Sequence, residues 1–82
     1  MLKADGFDKA FLGVASRFNM EDVFAYDKDE CIAILCRRDN ISYDDAVEFF
    51  NTKVLGTWVG KKTPLFLKKY GSIKDAVDDL DL

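Results

Sequence analysis

Three short stretches constrain this chain more than anything else in it: Asp27-Lys28-Asp29-Glu30, Ser42-Tyr43-Asp44-Asp45 and Ser72-Ile73-Lys74-Asp75. Each opens with a side-chain oxygen suited to accept a hydrogen bond from a free amide at a helix start. Each carries an acid three residues later, near the positive end of the helix dipole. Three helix starts within 82 residues leave little chain for anything else, and the apolar residues around them say how those helices pack.

The first stretch predicts a helix from Lys28 to Arg38, with Cys31, Ile32 and Leu35 as its inner stripe. Ile34 and Cys36 widen that stripe, so the helix is expected to be covered on more than one side. The second stretch opens the best amphipathic pattern in the chain. Tyr43, Ala46, Val47, Phe50 and Val54 share one side, while Asp44, Glu48 and Thr52 face away. Gly56 is the expected stop, in the left-handed conformation that closes many helices. The third stretch predicts a helix with the stripe Ile73, Ala76, Val77 and Leu80. Asp78, Asp79 and Asp81 lie at its negative end, where they oppose the dipole, so fraying is expected.

Upstream, Phe7, Ala10, Phe11, Val14, Ala15 and Phe18 fall at helical spacing, which predicts a helix from Phe7 to Phe18 capped by Asp5. Gly13 weakens that helix by about 1 kcal/mol, and a strand over Phe11–Ser16 is the alternative. Leu12 lies off the stripe. Val23-Phe24-Ala25-Tyr26, short and rich in aromatic and β-branched residues, reads as a strand. Thr57-Trp58-Val59 and Leu65-Phe66-Leu67 read as the arms of a hairpin across Gly60-Lys61-Lys62-Thr63. Pro64 belongs at a strand start or edge because it has no N–H to give a ladder. Trp58 and Phe66 are expected to face the core. The resulting expectation is a small α+β domain spanning residues 1–82, with three to four helices and a short antiparallel sheet of two or three strands.

Composition narrows the class. Apolar residues make up 49% of the chain and aromatics 13%, far from a disordered sequence. No apolar run approaches the ~18 residues of a membrane span, and the first residues lack the basic region and cleavage site of a signal peptide. These features predict a cytoplasmic protein that does not enter a membrane. If Cys31 and Cys36 share a helix, their Cα atoms lie roughly 8 Å apart and point in different directions, too far for a disulfide. Both are expected to be small apolar packing groups.

The chain has no histidine, which excludes Ser-His and Cys-His nucleophile pairs. Two cysteines cannot complete a four-ligand zinc site. Asp44 and Glu48 sit one helical turn apart on a face expected to be solvated. Asp27-Lys28-Asp29-Glu30 and its sequel lack the glycine and terminal glutamate of a calcium loop. Gly56-Thr57-Trp58-Val59-Gly60-Lys61-Lys62 lacks the spacing of a phosphate loop. No catalytic residue, metal ligand or cofactor is therefore expected.

Binding surfaces are better represented. Residues 1–50 carry a formal charge of −5, residues 51–70 of +5 and residues 71–82 of −3. The basic segment interleaves Lys53, Lys61, Lys62, Lys68 and Lys69 with Trp58, Phe66 and Tyr70. Such a segment can contact phosphates and stack on bases. It holds no arginine, the commoner base reader, and lysines beside an edge strand also guard against edge-to-edge aggregation. Phe49 points roughly 120° away from the stripe of its own helix. Either the sheet covers it, or a partner or a second copy does. Phe49, Trp58, Lys61, Lys62, Lys68 and Lys69 are the candidate partner contacts.

The run from Tyr26 to Phe66 resembles a family of small proteins found mostly in tailed bacteriophages and related bacterial elements. Four pieces carry the resemblance. They are Tyr26-Asp27, Arg38-Asp39 with Ser42-Tyr43, Ala46-Val47-Glu48 with Phe50, and Gly56 through Pro64 with its Trp-Val-Gly and Thr-Pro elements. It covers about half of the chain. It implies a viral, intracellular origin in a host cytoplasm and assigns no reaction, cofactor or catalytic residue. Together these readings predict a non-enzymatic accessory protein that binds a viral or host protein and can self-associate. The alternative is nucleic-acid binding through residues 53–70.

Overall fold

The computed structural model describes residues 2–57 and 63–80, the side chain of Thr57 excepted. The elements run in the order β1 (Phe11–Arg17), β2 (Met20–Asp27), α1 (Lys28–Asp39), α2 (Tyr43–Phe49), β3 (Leu65–Leu67) and α3 (Ile73–Leu80). A single 3-10 turn, Asp8–Ala10, precedes β1. The architecture is α+β, as expected, with a three-stranded sheet in the order β1-β2-β3.

The sheet is mixed rather than antiparallel. β1 and β2 form an antiparallel hairpin, whereas β2 and β3 run parallel through the pairs Ala25–Leu65, Tyr26–Phe66 and Asp27–Leu67. The cause is topological: parallel strands need a crossover of a dozen or more residues, and here α1 and α2 supply it. Leu65–Leu67 is therefore not the return arm of a hairpin begun at Thr57. Thr57 closes a 3-10 turn, Leu55–Thr57, and Trp58 and Val59 lie outside the described residues. Pro64 is buried just ahead of β3, the strand-start position its missing N–H allows.

The predicted helix over Phe7–Phe18 is instead the turn and β1, so the strand alternative is the one realised. Two residues favour it locally. Gly13 holds φ 153° beside a β-bulge between Phe11 and Gly13, a conformation in which only glycine is at ease. Asn19 adopts the left-handed φ of 58° in the turn between Arg17 and Met20, which asparagine tolerates better than most residues. The packing follows: Phe11 meets Phe24 edge-on at 5.3 Å and Tyr26 at 5.8 Å between ring centroids. Cross-strand aromatic pairs of this kind outweigh weak helix propensity.

Three of the four predicted caps form; Asp5 caps no helix, because the turn at Asp8–Ala10 starts from Phe7 with no side-chain cap. The Asp27 carboxylate accepts from the Glu30 amide at 3.2 Å, the Ser42 hydroxyl from the Asp45 amide at 3.2 Å, and the Ser72 hydroxyl from the Asp75 amide at 3.1 Å. Helix α1 ends on Asn40 in the left-handed conformation, its amide donating to the Cys36 carbonyl. Helix α2 does not stop cleanly. It widens into a π turn over Phe50–Val54 and then tightens over Leu55–Thr57. Thr52 sits in the widened turn and donates its hydroxyl back to the Glu48 carbonyl at 2.8 Å, a bond that bends helices. Gly56 lies within the final turn without a left-handed φ, so it is not the cap its position predicts.

The core joins one sheet face to the helices. Cys31, Ile32 and Leu35 of α1, Ala46 of α2, Phe50 and Tyr26 are all buried, with Ala4 and Phe7 ahead of the first turn and Ala10 within it. Phe66 stacks on Tyr26 at 5.7 Å and meets Phe50 edge-on at 5.1 Å. Ile34, Cys36, Val47 and Val54 pack around this cluster. Tyr43, the outermost member of the α2 stripe, remains 61% exposed.

Candidate functional site

Side chains paired across the ladder share a face. Phe11 pairs with Tyr26 and Val14 with Phe24, so Phe11 and Val14 belong to the face that the helices cover. Tyr26, Phe24 and Phe66 of that face belong to or pack against the core, whereas Phe11 and Val14 of β1 lie outside it. Phe11 is 45% exposed and Val14 50%. An open depression of about 290 Å³ lies there, lined by Lys3, Asp8, Phe11, Phe24 and Tyr26. At the hairpin tip Phe18 is 92% exposed, more than any other large apolar side chain among the described residues. Met20 and Leu12 add to the apolar surface of the same hairpin.

A larger depression, about 460 Å³, lies between the first turn and α1, lined by Gly6, Asp8, Lys9, Ile34, Arg37 and Arg38. Its arginines are engaged: Arg37 with Glu30 at 3.2 Å, and Arg38 with Asp39 through two nitrogens at 3.1 and 3.3 Å. Gly6, at φ 88°, lets the chain pass close to Arg38; a Cβ there would stand 3.1 Å from the guanidinium.

The sequence-predicted contacts are dispersed. Phe49 is 38% exposed on α2, so the sheet does not cover it completely. Lys68 donates to Asp79 at 3.1 Å and Lys69 to Asp27 at 3.1 Å. Each is exposed, and each is tied to an acid of this chain. Trp58, Lys61 and Lys62 lie outside the described residues.

These acids have altered titration. Burial pushes the Asp27 carboxyl up, but the Glu30 amide, the Lys69 ammonium and the Asp29 amide together outweigh it and hold the group below its ordinary value. Asp79 is lowered by the Tyr70 hydroxyl, which donates to it at 2.6 Å, and by Lys68. Lys68 and Tyr70 are raised in turn, each chiefly by its hydrogen bond to Asp79. The Cys31 thiol is pushed up to about 12 by burial, then by Asp27 and Glu30. It is a protonated packing group, and both cysteines are free.

Among the described residues no group of three or more Cys, Asp or Glu is placed to hold a metal ion, and no helix is long and apolar enough to cross a membrane. No protein family, curated protein or solved structure matches the chain. What the residues do bring together is an open apolar ridge on the β1–β2 hairpin. Sequence reasoning missed it because Phe11, Val14 and Phe18 were assigned to the buried stripe of a helix. The available signal was Asn19 between two runs rich in apolar residues, which marks a hairpin turn.

Proposed function

We propose that this is a non-catalytic binding protein whose partner is another protein, contacted through the β1–β2 hairpin. The observation that carries the reading is Phe18, 92% exposed at the tip of a hairpin whose β1 also presents Phe11 and Val14. Clustered, exposed aromatic and aliphatic side chains are the usual anchors of protein interfaces. The resemblance of residues 26–66 to phage proteins supports an accessory role with a viral or host protein as that partner. The pairing of Lys68 and Lys69 with acids of the same chain weighs against a phosphate-tracking groove, and nucleic acid is not the reading favoured here.

The test compares affinity capture by three proteins: wild type, a Val14→Thr/Phe18→Ser variant, and a Lys68→Ala/Lys69→Ala variant. The reading expects saturable retention of a protein by wild type and by the lysine variant, with loss in the hairpin variant. Equal retention by wild type and the hairpin variant overturns it.

A further inference from the structure

We propose that the depression between the first turn and α1 binds a small organic phosphate ester, with Lys9, Arg37 and Arg38 around the phosphate and Ile34 against the organic part. The proposal is independent of the hairpin reading. This depression shares only Asp8 with the one beside Phe11.

The lining cations come from two elements: Lys9 from the turn at Asp8–Ala10, and Arg37 and Arg38 from the last turn of α1. The chain as a whole carries a net charge of −3, so a depression lined by three cations and one acid runs against its average. That acid, Asp8, is held by Lys3 at 3.2 Å. The negative end of α1 accounts for the two arginines. It does not account for Lys9, which belongs to another element and has no ion-pair partner among the described residues.

The arginines keep donors to spare. A guanidinium offers its N–H groups in a planar fork. Arg37 gives Glu30 one nitrogen, Nη2, and Arg38 gives Asp39 Nε and Nη2. Arg38 Nη1 lies outside that pair and is the nitrogen nearest Gly6, where a Cβ would stand 3.1 Å from it. Having no side chain, Gly6 leaves the space beside Nη1 to a ligand oxygen.

A phosphate monoester suits this set better than a carboxylate does. Near neutral pH it carries roughly −1.5 to −2 of charge and several strong acceptor oxygens, and guanidinium forks match its geometry. Size and apolar surface ask for an organic part as well. Ile34 is half-buried and packs against the core, giving the depression an apolar wall. Its volume of about 460 Å³ falls in the ~300–1,000 Å³ range of small-molecule sites. A bare phosphate ion would leave most of that space to water.

The experiment is titration of the isotope-labelled full chain with phenyl phosphate, inorganic phosphate and phenol, each to about 10 mM, read by backbone and arginine side-chain NMR shifts. Salt at about 0.15 M screens long-range attraction. The expected result is saturable shifts at Gly6, Lys9, Arg37 and Arg38 with phenyl phosphate, binding of inorganic phosphate weaker by about threefold or more, and no saturation with phenol. Lys9→Gln and Arg38→Gln, both at exposed positions, should each weaken phenyl phosphate by about threefold or more, whereas Lys74→Gln, the same charge change on α3, should bind as wild type does. Phenyl phosphate that fails to saturate wild type overturns the site, and so do saturable shifts that fall elsewhere. A loss in Lys74→Gln equal to that in Lys9→Gln overturns it too, because general charge then explains the binding. Inorganic phosphate binding as well as phenyl phosphate overturns the ester as the ligand class, and phenol binding as well overturns the phosphate. The wild-type titration decides without any variant.

Discussion

The hydroxyl of Tyr26 accepts a hydrogen bond from the amide of Ala4 at 3.0 Å, joining the central strand to a segment 22 positions earlier. Both residues are almost completely buried, at 1% and 2% exposed. The bond satisfies a backbone donor that packing has removed from water, and it seats Phe7 and Ala10 against α1. Tyr26→Phe keeps the ring contacts and leaves the Ala4 amide without its partner. The expected cost is about 1–2 kcal/mol, read as a fall in the urea midpoint at unchanged slope.

Asp27 has two duties. It caps α1 and pairs with Lys69. Asp27→Ala is expected to destabilise the protein by about 1 kcal/mol through the lost cap, and Lys69→Ala by less, because the ion pair is exposed at the lysine. The pH dependence follows from the depressed carboxyl. Its contribution is present above the ordinary value of 3.8 and is lost as pH falls through the lower folded-state value. Thermal melts of wild type and Asp27→Ala should therefore converge as the pH is taken below 3.8.

Helix α3 hangs on Asp79. None of its residues is buried; Ile73 is 85% exposed and Leu80 56%. Lys68 and Tyr70 both donate to the Asp79 carboxylate. Asp79→Asn is expected to raise amide exchange throughout α3 while leaving α1 unchanged, and to shift the Tyr70 hydroxyl downward, since its hydrogen bond to Asp79 is the chief cause of its raised titration. The same loosening should follow acidification. Asp79 is depressed, so its support exists above the ordinary carboxylate range and disappears as pH falls through its folded-state value.

The cysteines give a chemical test of the core. Cys31 is fully buried and held protonated, with its thiol pushed up to about 12, while Cys36 is half-buried at the edge of the core. Native protein treated with a thiol reagent at pH 8 should be modified at Cys36 first. Cys31 should react only at the rate of unfolding, since thiolate is the reactive form. The shift also makes stability fall as pH rises above 9.0, the ordinary thiol value, because the unfolded chain releases this proton before the folded one does.

Much of the helical framework was readable from local chemistry. Asp27, Ser42 and Ser72 cap where their spacing predicts, and Cys31, Ile32, Leu35, Ala46 and Phe50 bury as their periodicity predicts. Local signals decide such features. The first strand was misread because Phe7, Ala10, Phe11, Val14 and Phe18 satisfy a helical repeat equally well. What decides against the helix is a partner strand at Val23–Tyr26, a contact no local pattern contains. The parallel pairing of Leu65–Leu67 is a non-local choice of the same kind. Of the candidate contacts, Phe49 is partly open and Lys68 and Lys69 are held by Asp79 and Asp27. The exposed ridge at Phe11, Val14 and Phe18 became visible only once β1 was known to be an edge.

The ridge of Phe11, Val14 and Phe18 is the proposed contact surface. Its most direct test is an amide-exchange footprint of the chain bound to the protein that wild type retains and the Val14→Thr/Phe18→Ser variant loses. The expected result is protection over residues 11–20, with α2 and the lysines following β3 unchanged. Protection confined to Tyr43–Phe49 or to the segment around Lys68 and Lys69, with β1 exchanging as in the free protein, would contradict it.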